Sequence, residues 1–160
     1  MRILVACLAF MAAACGAPQN APETPSPAQA EQPAIIIADA WAAPTPAGVN
    51  VGAGYLTLTN TQAAADTLIG VEAPRASRAE IHEMAMENGV MRMRRADALD
   101  LPAGETVTLA PGGLHLMFFD IATPFAAGET IEVRLRFANA GEIVAQLPVR
   151  TRENSGHSGH

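Results

Sequence analysis

From Ala34 to Arg152 apolar and polar residues alternate with period two, and turn formers interrupt the alternation repeatedly. The runs that read as strands are Ile35–Trp41, Gly54–Thr61, Thr67–Glu72, Ala79–Met86, Val90–Arg94, Thr106–Leu109, His115–Asp120, Thr130–Phe137 and Ile143–Val149. Between them lie Pro44 and Pro46, Asn60, Pro74, Asn88-Gly89, Pro102 and Gly104, Pro111-Gly112-Gly113, Gly128, Asn139 and Gly141. No long segment repeats at helical spacing, and the alanine-rich patch Gln62–Ala65 is too short to matter. Many short strands of this kind predict an all-β domain, an antiparallel sandwich or barrel.

One turn carries more information than the rest. Asn-Gly is the strongest short signal for a two-residue type I′ hairpin, because both central residues need positive φ. Centred on Asn88-Gly89, such a hairpin pairs Glu87 with Val90, Met86 with Met91, Ala85 with Arg92, and Met84 with Met93. Glu83 then meets Arg94, and His82 meets Arg95. Because side chains alternate, His82, Met84, Met86, Met91 and Met93 share one face, with Met93 on the diagonal from His82. A second piece follows the Pro111–Gly113 turn, where His115 and Met117 share a strand face opposite Leu114, Leu116 and Phe118. That second trio reads as core.

The seven methionines sharpen the pattern. Met1 and Met11 lie at the extreme N-terminus, and the other five are Met84, Met86, Met91, Met93 and Met117. Methionine used as flexible core filler would scatter through all the strands. A lone His82 is more often an ordinary surface or core histidine than a ligand, and a lone methionine run is more often an apolar or partner-binding face. Their occurrence together, with a second His-x-Met elsewhere, favours a metal site. Thioether sulfur is soft and imidazole borderline, so together, without thiolate or carboxylate, they suit Cu(I) best. Neutral donors leave the ion's charge uncompensated, which suits a carrier that must release its cargo. A copper buffer, or a metal-free sandwich using the methionine face as a partner patch, would use the same residues.

Composition narrows the function further. The chain has 160 residues, enough for one domain with a core, and a net charge of -6. All ten basic residues are arginines and they are scattered, which argues against nucleic-acid binding. Both cysteines, Cys7 and Cys15, precede the domain, so the domain itself has no thiol for catalysis, disulfides or a cysteine-ligated copper centre. His82 and Glu83 point to opposite faces, and no nucleophile accompanies a base at a recognisable spacing, so an enzyme is not expected. Asp39, Asp66, Asp97, Asp100 and Asp120 sit singly and read as turn or surface residues.

The N-terminus reads as an address. Residues 1–14, MRILVACLAFMAAA, have a short basic start, an apolar run too short to span a bilayer, and small residues before a cut site. This is the pattern of a secretory signal peptide, and Cys15 followed by Gly16 is a candidate for lipidation, although Ala12 stands where a lipoprotein box prefers leucine. Residues 15–33 are rich in proline and alanine and read as a disordered linker to a domain spanning 34–152. In the tail, 153–160, His157 and His160 are candidates for a second ion, Cu(II). Export out of the cytoplasm fits thioether ligands, since thiols outside it tend to oxidise to disulfides.

The spacing His82, ten residues, Met93, twenty-one residues, His115, one residue, Met117 resembles the signature of the PCu(A)C periplasmic copper chaperones. The resemblance extends through AWAAPTP (Ala40–Pro46), GAGYLTLTNT (Gly52–Thr61), IHEMAMENGVMRMR (Ile81–Arg94) and PAGETVTLAPGGLHLM (Pro102–Met117). It implies a cupredoxin-like Greek-key sandwich whose β-hairpin carries part of a site holding one Cu(I) through His82, Met93, His115 and Met117. It also implies delivery of copper to the binuclear centre of cytochrome c oxidase, with that enzyme's copper-bearing subunit or another assembly factor as partner. Met84, Met86 and Met91 then become an apolar rim that excludes water, or stepping stones in transfer. The ion is expected at the mouth of the sandwich, and the protein is expected to be a monomer that touches a membrane only through its lipid anchor.

Overall fold

Alternating apolar residues build two antiparallel sheets in the computed structural model, which describes residues 33–151. The expected signal peptide (1–14), Cys15, nearly all of the linker, and the tail with His157 and His160 lie outside the described residues. The strands are β1 (Ile35–Ala42), β2 (Val51–Asn60), β3 (Asp66–Glu72), β4 (Ala76–Glu87), β5 (Val90–Ala96), β6 (Leu99–Leu101), β7 (Thr106–Leu109), β8 (Leu114–Ile121), β9 (Thr130–Phe137) and β10 (Glu142–Pro148). One sheet runs in the order β1-β2-β8-β4-β5, with β7 continuing along β2 beyond β8. The other runs β10-β9-β3-β6. The chain crosses between sheets repeatedly, so each sheet is assembled from distant segments and all pairings within it are antiparallel.

The core lies between the sheets. Leu56, Leu58, Ile81, Leu116 and Phe118 come from the six-stranded sheet, and Leu68, Ile131, Val133, Leu135 and Leu147 from the four-stranded one. Phe118 meets Phe125 edge-on, with ring centroids 5.6 Å apart. Glycine on β2 makes room for that pair: a Cβ at Gly54 would lie 2.9 Å from both Phe118 and Leu147, and one at Gly52 would lie 2.9 Å from Phe125. These strand glycines are close-approach sites, where no side chain fits.

Nine of the ten strands coincide with the runs expected from the alternation. β6 was not expected, because its three residues are too few to show a period. β2 begins at Val51 rather than Gly54, since glycines weaken a strand signal without weakening this strand's pairing. Gln62–Ala65 forms bends and no helix. β1 carries a bulge between Ala38 and Trp41, with Asp39 at φ 50°, and this sets Trp41 beside Tyr55 at 4.5 Å between ring centroids.

Two polar residues expected in turns or on the surface are instead buried. Asn60 is fully buried: its amide donates to the carbonyls of Ala64 and Leu101 at 2.9 and 3.0 Å, and its oxygen accepts from the N–H of Gln62. Asp66 accepts backbone N–H bonds from Thr67 (2.7 Å), Asn139 (2.9 Å) and Ala140 (2.9 Å), tying the start of β3 to the β9–β10 turn. Burial raises the pKa of the Asp66 carboxyl, but those backbone donors together outweigh it and hold the group below the ordinary carboxylate value. Its folded-state pKa is therefore depressed, so its stabilisation is present above the unfolded value and disappears as pH falls through the folded one. Asp66→Asn, which sets an NH2 group against a backbone N–H in either orientation, is expected to destabilise the domain at pH 7 by about 1–3 kcal/mol. In urea unfolding the gap between the two proteins narrows as pH falls below 4, and a gap independent of pH would contradict the role of the carboxylate.

Candidate metal centre

β8 divides its residues between two faces. Leu116 and Phe118 are fully buried in the core with Leu114 packed beside them, so His115, Met117 and Phe119 occupy the outward face of the six-stranded sheet. On β4 the same division puts Ile81 in the core and Arg78, Glu80, His82, Met84 and Met86 outward. Register then sets the neighbours. His82 lies directly opposite His115, Glu80 opposite Met117, and Arg78 opposite Phe119. On β5 the hairpin pairs Met84 with Met93, Met86 with Met91, and His82 with Arg95. Every cross-strand pair expected from Asn88-Gly89 is present, and the turn residues have the positive φ values of 52° and 77° that a type I′ turn needs.

The outward face therefore reads as a series of rungs. Ala53, Met117 and Glu80 form one, His115, His82 and Arg95 the next, followed by Met84 with Met93 and then Met86 with Met91. His82 and His115 come from segments with no sequence proximity, yet their ring centroids are 6.0 Å apart. Met117 and His115 share a strand face, and Met93 stands on the diagonal from His82. This arrangement occupies the outer face of a sheet, not the mouth between the sheets. His115 is 4% exposed and Met93 48%, so the group runs from an enclosed imidazole to an open thioether.

Both imidazoles are held by hydrogen bonds that define their free nitrogens. His115 Nδ1–H donates to the Gly113 carbonyl at 2.9 Å, which leaves Nε2 as the lone-pair nitrogen. His82 Nε2–H donates to Glu80 Oε2 at 2.7 Å, which leaves Nδ1 with the lone pair. His82 Nδ1 is buried and has no hydrogen-bond partner among the described residues. A buried lone pair without a donor is costly unless something electrophilic takes it. The ring also packs against Phe119 at 5.7 Å between centroids, and the Arg78 guanidinium lies over that phenyl ring at 4.5 Å from its centroid.

Glu80 is the residue that the sequence reading missed, since a donor set without carboxylate was expected. It is a positioning group: the hydrogen bond from His82, supported by Arg78 at 3.4 Å and Arg95 at 3.5 Å, keeps its carboxyl below the ordinary glutamate value against the opposing effect of burial. The signal was available, because period two puts Glu80 on the face of His82 two residues earlier, whereas only the adjacent Glu83 was weighed. Among the described residues no three His, Cys, Asp or Glu side chains gather around one point. The thioethers of Met117 and Met93 lie on the rungs to either side of the two histidines.

The family described as "Putative lipoprotein LpqE-like" matches residues 35–149. The chain belongs to the LpqE-like family. "Putative lipoprotein Lxx21020" of Leifsonia xyli is 32% identical to it over 130 residues, covering 78% of this chain and 77% of that one. Among solved structures, the copper-bound PCuAC domain from PmoF2 superposes with a TM-score of 0.64 at 29% identity, over 74% of this chain and 93% of that one. The Cu(I) form of DR1885 from Deinococcus radiodurans gives 0.62 at 26% identity, covering 78% and 84%. The first of these structures is a copper-bound PCuAC domain and the second a Cu(I)-loaded protein, and the LpqE-like chain shares their all-β, cupredoxin-like sandwich.

The Glu80 bond has a direct spectroscopic consequence in the metal-free protein. Nitrogen-detected imidazole spectra at pH 8 are expected to show His82 as one Nε2–H tautomer, and Glu80→Ala is expected to turn it into an exchanging mixture. His115, held by Gly113, keeps its Nδ1–H tautomer in both. A His82 tautomer unchanged by the substitution would show that Glu80 does not orient the ring.

Proposed function

We propose that this LpqE-like protein is a copper chaperone of the periplasm, which binds one Cu(I) through His82, Met93, His115 and Met117. The observation that carries the reading is the buried, unpartnered Nδ1 of His82, on a ring 6.0 Å from that of His115, with thioethers on the neighbouring rungs. Two lone-pair nitrogens and two sulfurs form a neutral, soft set, the chemistry that favours the cuprous ion over harder divalent cations. The copper-bound neighbours support the same cargo. The protein is a carrier and not an enzyme.

Release follows from the exposure gradient. Met93 is the open donor and His115 the enclosed one, so an acceptor displaces the Met93 sulfur first and the imidazoles last. Copper carries its positive charge into surroundings where two arginines already face one carboxylate, so the ion is held by donor bonds and weakly by charge. The proposed acceptor is the binuclear centre of cytochrome c oxidase, reached through its copper-bearing subunit or another assembly factor. The lipoprotein name of the family supports export and tethering at Cys15, and His157 and His160 are proposed as a separate Cu(II) site.

Competition of the protein for Cu(I) against a chromophoric chelator tests the site. Met93→Ala and Met117→Ala are each expected to weaken binding by at least about tenfold, the scale on which a lost ligand is felt. Unchanged affinity in both variants would remove the assignment. Deleting the gene under limiting copper is expected to lower the copper content of the oxidase, and normal oxidase would identify a buffer without a dedicated acceptor.

A further inference from the structure

The hairpin formed by β4 and β5 outruns the sheet that carries it. Its ladder with β8 ends where Glu83 meets Leu114, so the segment from Met84 to Met93 is a two-stranded arm, bonded at its base by Met84 N–H to the Gly113 carbonyl (3.1 Å) and with no further neighbouring strand among the described residues. One face of the arm is polar and internally paired, with Glu87 3.2 Å from Arg92 and 3.1 Å from Arg94. The other carries four methionines in two directly opposed pairs, Met84 with Met93 and Met86 with Met91. Met86 is 69% exposed and Met91 59%, so neither fills a core. An isolated pair of strands is marginal in water, and large apolar side chains at its tip add nothing to its packing. The four donors of the proposed copper centre include only Met93 from this arm, which leaves the thioethers of Met84, Met86 and Met91 outside that centre.

We propose that Met86 and Met91, with Met84 as third donor, form a second and weaker site for a soft monovalent cation at the tip of the arm. Directly opposed side chains start from Cβ atoms about 5 Å apart, and the flexible methionine stems let both sulfurs close on one ion. Met84 lies on the same face, one rung closer to His82. Three neutral thioethers discriminate by softness alone and give no imidazole bond, so this site is weaker than the one next to it. Met93, opposite Met84, is shared by position between the two, and an ion taken at the tip moves to the histidines by exchanging one sulfur for the next. The inference rests on the proposed copper centre for its purpose, but its binding test does not.

The test uses the full chain labelled with 13C in the methionine methyl groups and titrated with Ag(I), a redox-inert stand-in for Cu(I). Methyl signals report each methionine separately, so silver taken by Cys7, Cys15, His157 or His160 does not enter the reading. The Met93 and Met117 signals are expected to move in an early phase, and Met86, Met91 and Met84 together in a later phase at least tenfold weaker. The double variant Met86→Leu, Met91→Leu keeps the apolar surface, and it is expected to abolish the late phase at Met84 while leaving the Met117 response unchanged. Silent Met86 and Met91 signals under excess silver would overturn the second site, as would a late Met84 phase that survives the double variant. Movement of the signals of Met84, Met86, Met91, Met93 and Met117 in a single phase would also overturn it, since the tip would then belong to one extended site. Failure of the copper centre has a different signature: Met93 and Met117 would not respond at all.

Discussion

Everything at the site depends on the registry of β4 against β8, and that registry is set from the opposite face. Ile81, Leu116 and Phe118 are locked between the sheets, and because side chains alternate strictly, burying them forces His82 and His115 outward and opposite one another. A slip of one residue would drive imidazoles into the core and leucines into water. The core therefore does more than stabilise the domain. It holds two histidines from distant segments at a fixed separation before any ligand arrives, which removes part of the ordering cost of binding. The glycines of β2 belong to the same constraint, since Gly54 makes room for Phe118 and Phe118 anchors the strand that presents His115 and Met117.

Within that frame the donors differ in freedom. His115 is tied to Gly113 and His82 to Glu80, so the imidazoles have their tautomers and directions set by the fold. Glu80 is in turn held by Arg78 and Arg95, and the His82 hydrogen bond first, with those two charges behind it, keeps its carboxyl below the ordinary glutamate value. The sulfurs have no such supports. Met117 lies on the sheet opposite Ala53, and Met93 sits on the arm. In the proposed site a nitrogen pair fixed by hydrogen bonds would be joined by thioethers on longer, flexible stems, the asymmetry that transfer by stepwise ligand replacement requires.

Much of this could be read from the residues, for reasons that also explain the failures. The hairpin register was legible because Asn88-Gly89 admits one tight turn, and a single turn then fixes every pair to His82. The outward placement of His115 and Met117 followed from three core residues alternating with them. What stayed hidden depends on partners remote in sequence. Asp66 looks like any loop carboxylate until the β9–β10 turn brings it Asn139 and Ala140. Asn60 looks like a turn former until Leu101 supplies a buried carbonyl. That the rungs lie on the outer face and not at a mouth between sheets follows only from knowing which neighbours β4 and β8 have. Glu80 is the exception, because its place on the face of His82 was available from period two alone.

The arm beyond Glu83 completes the division between rigid and mobile parts. A two-stranded ribbon with ion pairs on one face and thioethers on the other has little hydrophobic reason to hold a single shape, and its local stability comes from cross-strand pairs worth only tenths of a kcal/mol to about 1 kcal/mol each. Such a segment belongs to the low-stability end of the molecule, where ligand-contacting elements are commonly found. Its base, however, is continuous with the ladder that fixes His82. Under the proposed function, movement at the tip would change which sulfurs reach the ion without disturbing the imidazoles. A chaperone needs both properties at once, and the fold separates them along the length of one hairpin.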